Sequence, residues 1–164
     1  MLDREALNRL FRYGCSLTHD EQSAYDLLQD GLEASLRKAP RDPEATMQYI
    51  RSIMRNRFID QYRRSQRFPE SSIDDENEPV HMDSRVLEDV IIAQHDVESL
   101  MEGLDPLERE LLFLWAVEGY TARELGEATE CSRGTVLSRL HRLRKKIIRH
   151  SQDSERRLQG GAAR

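Results

Sequence analysis

Residues 121–150 read TARELGEATECSRGTVLSRLHRLRKKIIRH, and this stretch decides the fold. Thr121-Ala122-Arg123-Glu124 is a capping box, a hydroxyl N-cap followed three residues later by a glutamate, and it opens a short helix to about Thr129. After a turn at Glu130-Cys131, Ser132 caps a longer helix that is expected to end near His150. On that helix Val136, Leu140, Leu143 and Ile147 fall on one face, and Ser138, His141, Arg142, Lys145 and Arg149 fall on the other. From Cys131 to Gln152 there is no acidic residue, while Arg133, Arg139, Arg142, Arg144, Lys145, Lys146 and Arg149 are basic. A short capped helix, a tight turn and a longer basic helix form the helix-turn-helix pattern, whose second helix fits the DNA major groove.

Upstream, Asp105-Pro106-Leu107-Glu108 supplies an N-cap, a first-turn proline and a capping acid. The helix it starts carries Leu107, Leu111, Leu114 and Trp115, and Gly119 stops it. Val90, Ala93, Val97, Leu100 and Leu104 mark one more helix, beginning near Val86, so residues 86–150 form a helical unit. Residues 151–164, SQDSERRLQGGAAR, show no periodicity and read as a flexible tail. Before this unit, Glu70, Asp74, Asp75, Glu76, Glu78, Asp83, Glu88 and Asp89 stand against a single Arg85, so residues 69–85 read as an acidic flexible linker.

Residues 1–68 read as three helices. The first, from about Asp3 to Leu17, has Leu7, Leu10 and Phe11 as its stripe. The second begins at Thr18, where Thr18-His19-Asp20-Glu21 is a capping box, and runs to about Lys38 with Tyr25, Leu28, Leu32 and Leu36 at helical spacing. Pro40 and Pro43 bound a loop over residues 39–44, and a third helix follows from about Ala45 to Gln66, with Met47, Ile50, Met54 and Phe58 on one face. It carries Arg51, Arg55, Arg57, Arg63 and Arg64, with Arg67 just beyond, against the one acid Asp60. Tyr49, Phe58 and Tyr62 interleave with them, as in surfaces that handle single strands. The same aromatics equally fit a helix core. The fold class is therefore all-α: two small helical domains joined by an acidic linker.

Composition narrows the function. Only 6% of residues are aromatic while 34% are charged, which suits thin-cored helical bundles rather than a large sandwich or α/β enzyme. The net charge of −5 argues against nucleic acid only until its segregation along the chain is seen. Cys15 and Cys131 have no ligand spacing around them, so no metal, cofactor or disulfide is expected. No nucleophile–base pair stands out, and an enzyme is not expected. The charged N-terminus lacks a signal peptide and no apolar run could span a bilayer, so a cytoplasmic protein without membrane insertion is expected.

Both halves resemble one family. Asp26-Leu27-Leu28-Gln29-Asp30 is similar to the D-L-V-Q-E core of region 2.2 of RNA polymerase sigma factors. The run from Tyr49 to Arg64 resembles regions 2.3 and 2.4, with their R-N-x-x-I-D-x-x-R-R pattern. The stretch from Leu104 to Lys146 resembles region 4 of the extracytoplasmic-function (ECF) type. The resemblance implies promoter-specific transcription initiation. In that family region 2.2 docks on the β′ clamp helices of core RNA polymerase, which implies core binding by Asp26, Leu27, Gln29 and Asp30. It implies contact with the −10 element by Lys38 and Arg41 in the stretch Lys38–Thr46, and by Asn56, Arg63 and Arg64. It implies reading of the −35 element by Arg133, Leu137, Ser138, His141, Arg142 and Lys145. Promoter DNA, the polymerase β flap and an anti-sigma factor are the further partners it implies, and the linker would thread the RNA-exit channel. Three departures stand out: a short first helix, Gly31 in place of a bulky or polar residue, and Leu137 where many relatives place a polar or basic reader. The alternative reading is a helix-turn-helix transcriptional regulator that binds DNA without joining the polymerase.

Overall fold

The computed structural model of the chain describes residues 2–38, 40–66 and 94–161, and every element among them is helical. They fall into two compact units, divided between Asp74 and Asp75. Arg67, the acidic stretch and the start of the helix expected near Val86 lie outside the described residues.

The first unit is a three-helix bundle. Helix α1 (Arg4–Thr18) is capped by Asp3, whose side chain accepts from the Ala6 N–H, and ends where His19 turns left-handed at φ 53°. Helix α2 (Glu21–Lys38) is capped by Asp20 rather than by Thr18. The Asp20 carboxylate accepts from the backbone and hydroxyl of Ser23 at 2.9 and 2.7 Å. Thr18 is still part of α1, and its hydroxyl turns back onto the Gly14 carbonyl. Helix α3 (Pro43–Gln66) starts two residues earlier than expected: Asp42 caps it by accepting from the Ala45 N–H at 2.8 Å. Pro43 sits in its first turn, where a missing N–H costs nothing.

The core of this unit is Leu10, Tyr13, Leu17, Ala24, Leu27, Leu28, Met47, Ile50 and Met54. The buried face of α2 is thus Ala24, Leu27, Leu28 and Gly31, not the expected stripe of Tyr25, Leu28, Leu32 and Leu36. Tyr25 and Leu36 are 56% and 87% exposed. Small residues decide the register. A Cβ on Gly31 would lie 2.8 Å from the Ile50 Cγ2 and 3.2 Å from the Met54 Cγ, so the glycine lets α2 and α3 approach closely. The departure at Gly31 is therefore a packing requirement of the bundle.

The second unit holds α4 (Gln94–Glu102), α5 (Pro106–Leu112), α6 (Ala122–Thr129) and α7 (Arg133–Gly161). The expected capping boxes at Asp105/Glu108 and Thr121/Glu124 are both present and reciprocal. A π-helical turn (Phe113–Val117) follows α5 directly, with Glu118 donating to the Phe113 carbonyl at 3.1 Å. The widened turn lets the adjacent residues Phe113 and Leu114 both face inward. Gly119 ends it at φ +72°. Leu100, Leu104, Leu111, Leu125, Val136, Leu140, Leu143 and Ile147 complete the core. Helix α7 does not stop near His150 but continues to Gly161. Ser151 to Leu158 contains no glycine or proline, so the backbone has no reason to leave the helix before Gly160-Gly161.

Candidate polymerase and nucleic-acid interfaces

On α2, Asp26 and Gln29 lie on the exposed face beside Gln22 and Glu33. Gln22 donates to Asp26 at 3.3 Å and Gln29 to Glu33 at 3.1 Å. Asp30 is 36% exposed and accepts from Arg57 of α3 at 2.7 Å. Leu27 does not belong with them. It is 3% exposed and points into the bundle, so it supports the face from behind and cannot itself meet a partner. Tyr25 takes its place on the surface, tilted against Phe11 of α1 with ring centroids 4.4 Å apart. Sequence reading missed Tyr25 because an aromatic at helical spacing reads as core.

The basic residues of α3 divide into three groups. Arg51 and Arg55 are buried, at 4% and 8% exposure, and the Arg51 guanidinium lies over the Tyr13 ring at 5.4 Å. Arg57 faces Asp30. The exposed remainder, Arg63 and Arg64, stands with Ser52 and Asn56 away from the core. Lys38 and Arg41 are exposed at the opposite end of α3, near its N-terminus. At 1.5 Å per residue, roughly 30 Å of helix separates them from Arg63, so these residues form a line and not a pocket. Phe58 and Tyr62 are half-buried and stacked on one another, 5.8 Å apart and 19° from parallel.

The helix-turn-helix is built around a close approach of backbones. A Cβ on Gly126 would lie 2.8 Å from the Cys131 carbonyl oxygen, and the Cys131 N–H donates to the Gly126 carbonyl at 2.9 Å. Glu130 makes the turn left-handed at φ 55°, and Ser132 caps α7 by accepting from the Thr135 N–H. Arg133 and Gly134 are exposed at the start of α7, with Leu137, Ser138 and His141 half-buried on the same side. Arg142 and Lys145 are exposed. The seven basic residues of this stretch are not equivalent. Arg139 donates to the Cys131 sulfur at 3.3 Å. Lys146 pairs with Glu108, whose other oxygen accepts from the Asp105 N–H, so one glutamate both caps α5 and ties it to α7.

Two carboxylates in caps are shifted. Hydrogen bonds from the Ser23 hydroxyl and then its backbone hold Asp20 below its ordinary value of 3.8. The Thr121 backbone and then its side chain lower Glu124 from 4.5. Desolvation, followed by the nearby Glu21 and Asp20, pushes the Cys15 thiol up. Among the described residues no cluster of His, Cys, Asp or Glu could hold a metal ion, and no helix is long and apolar enough to cross a membrane.

Comparison with known proteins gives two family matches in this order along the chain: Sigma-70 region 2 over residues 2–68, and Sigma-70, region 4 over residues 94–147. The ECF RNA polymerase sigma factor SigE of Mycolicibacterium smegmatis is 25% identical over 161 residues, covering 93% of this chain. The chain spans 63% of that relative's length. Among solved structures, the sigma factor RpoE from Bartonella quintana, crystallised with the anti-sigma factor NepR, shares the fold with a TM-score of 0.63. The identity there is 22%, over 90% of this chain and 92% of that one.

Proposed function

The chain belongs to the sigma-70 family, whose regions 2 and 4 it carries, and we propose that it is an alternative sigma factor of ECF type, directing core RNA polymerase to its promoters. The observation that carries this reading is the pairing of the two regions in one chain. A helix-turn-helix regulator has no use for region 2, and the SigE likeness runs across both.

Each unit has a surface suited to its task. The first offers the polymerase the exposed α2 face of Tyr25, Asp26, Gln29 and Asp30, which would meet the β′ clamp helices. Asp30 is presented by the Arg57 ion pair. The line from Lys38 and Arg41 through Asn56 to Arg63 and Arg64 would follow the −10 strand. A flipped base costs a few kcal/mol of unstacking, and backbone contacts along such a line would offset it. The second unit would place α7 in the major groove of the −35 element. Arg133, Ser138 and His141 would reach base edges, Leu137 would make an apolar contact, and Arg142 and Lys145 would hold phosphates. The protein would work by binding, in the cytoplasm, with the β flap as a second polymerase contact. An anti-sigma partner is also proposed, in line with the complex in which the Bartonella quintana relative was crystallised.

The test is competition for core RNA polymerase against the housekeeping sigma factor. Mutually exclusive binding is expected. Salt-dependent duplex binding with no affinity for core would replace this reading with the regulator.

A further inference from the structure

We propose that the distal part of α7 carries a sequence-independent phosphate contact made by Arg149, which lies beyond the residues that match region 4, together with Lys145 just within them. This rests on the reading of α7 as the duplex-binding helix and adds a contact to it.

Three observations support it. The first is which charges are available. Among the described residues Lys146 is paired with Glu108, Arg139 with the Cys131 sulfur, Arg123 with Glu127, and Arg156 lies 4.0 Å from Asp153. Arg142, Lys145 and Arg149 are exposed and have no such partner among those residues. The second is direction. Val136, Leu140, Leu143 and Ile147 define the buried side of α7. At 3.6 residues per turn Lys145 and Arg149 lie opposite it, and Arg149 stands about three turns beyond Ser138 at nearly the same angle. The third is distance. Three turns are about 16 Å of axis, whereas the major groove is about 12 Å wide. A helix that meets base edges with its first turns and crosses the groove has left it by Arg149, which would then meet the phosphate backbone. Because α7 runs unbroken to Gly161, that residue is held on a rigid element. The match to region 4 ends at residue 147, so nothing in that match assigns a role to Arg149.

A duplex phosphate is the occupant this geometry fits. The arginine has five donors in a fork that matches phosphate, and the lysine one turn before it adds a second cation. Arg142, on the same edge, extends the row toward the reading residues.

The test needs no knowledge of the promoter. The full chain, alone and bound to core polymerase, is titrated with a random-sequence 30-bp duplex at several salt concentrations. Arg149→Ala is expected to weaken binding by roughly five- to tenfold and to reduce the slope of log affinity against log salt by about one. Arg149→Lys is expected to keep the slope. Both variants should leave affinity for core polymerase unchanged. If wild type binds and Arg133→Ala weakens it while Arg149→Ala changes neither affinity nor slope, the added contact is overturned and the DNA reading of α7 stands. If wild type itself shows no salt-dependent duplex binding in either form, the DNA reading fails and the contact fails with it.

Discussion

Gly126 and Gly134 lie eight residues apart in the helix-turn-helix, and replacing each by alanine should have opposite effects. At Gly126 the new methyl would sit 2.8 Å from a backbone oxygen of the turn, which cannot move without disturbing the Cys131–Gly126 hydrogen bond. The helix-propensity gain of up to about 1 kcal/mol is smaller than the overpacking cost of about 1–3 kcal/mol, so Gly126→Ala should lower stability by about 1 kcal/mol or more. At Gly134 a Cβ meets nothing within 4 Å, and alanine should be neutral or stabilising by a few tenths of a kcal/mol. Urea unfolding of both variants checks this, and equal midpoints would remove the steric account of the turn. Leu27→Ala is the companion prediction in the first unit. With 3% exposure it should cost about 2–4 kcal/mol of stability, visible as an earlier melt whether or not polymerase is present. Leu27 also shows where sequence reading stopped. Tyr25, Leu27, Leu28, Leu32 and Leu36 cover more than half the circumference of α2, so hydrophobicity alone allows two stripes. Ala24 and Gly31 choose between them, because only their small side chains admit the neighbouring helices. Periodicity rewards large apolar residues and overlooks small ones at close approaches.

At the scale of elements, the caps of the second unit and the ends of α2, α3 and α6 were legible, whereas the starts of α2 and α3 and the end of α7 were not. Asp105, Thr121 and Ser132 cap where the sequence places them, since a cap is a local bond between a side chain and an N–H three residues on. The π-turn after α5 could not be read, because shifting from i+4 to i+5 bonding changes no residue type and is settled by packing Phe113 and Leu114 together. The continuation of α7 past His150 was missed because an exposed helix needs no apolar stripe. The caps also set an acid response. Asp20 and Glu124 titrate below their ordinary values of 3.8 and 4.5 because they accept hydrogen bonds in the folded state. Their contribution is therefore present above those values and lost as pH falls through the lower folded ones. Helicity by circular dichroism should hold from neutral pH to about 5 and fall below about 4. In Glu124→Gln, which keeps an acceptor but does not titrate, part of that loss in the second unit should disappear; an unchanged acid profile would mean the capping box is not its source. The thiol of Cys15, raised by burial and then by Glu21 and Asp20, should react with iodoacetamide more slowly than a free cysteine at pH 8.

The whole molecule is acidic at −5 and yet has, between residues 131 and 152, a stretch with no acid at all. Averaging hides this, and the structure adds that several cations along the chain are already engaged: Arg57 with Asp30, Lys146 with Glu108, Arg51 over Tyr13. On the proposed reading, binding would rest on few exposed charges in each unit, and the two units should fail independently. Asp30→Ala removes a surface ion pair whose members are 36% and 51% exposed, a contact worth at most about 1 kcal/mol to the fold. Stability should barely change, so a tenfold or larger loss of core-polymerase affinity would belong to docking itself. Arg142→Ala, in the other unit, should leave that affinity intact and weaken binding to duplex DNA. Measured side by side, the two variants should show crossed losses. If Arg142→Ala lowered core affinity as much as Asp30→Ala did, α7 would be part of the polymerase interface, and its free cations would need an acidic protein partner in place of DNA.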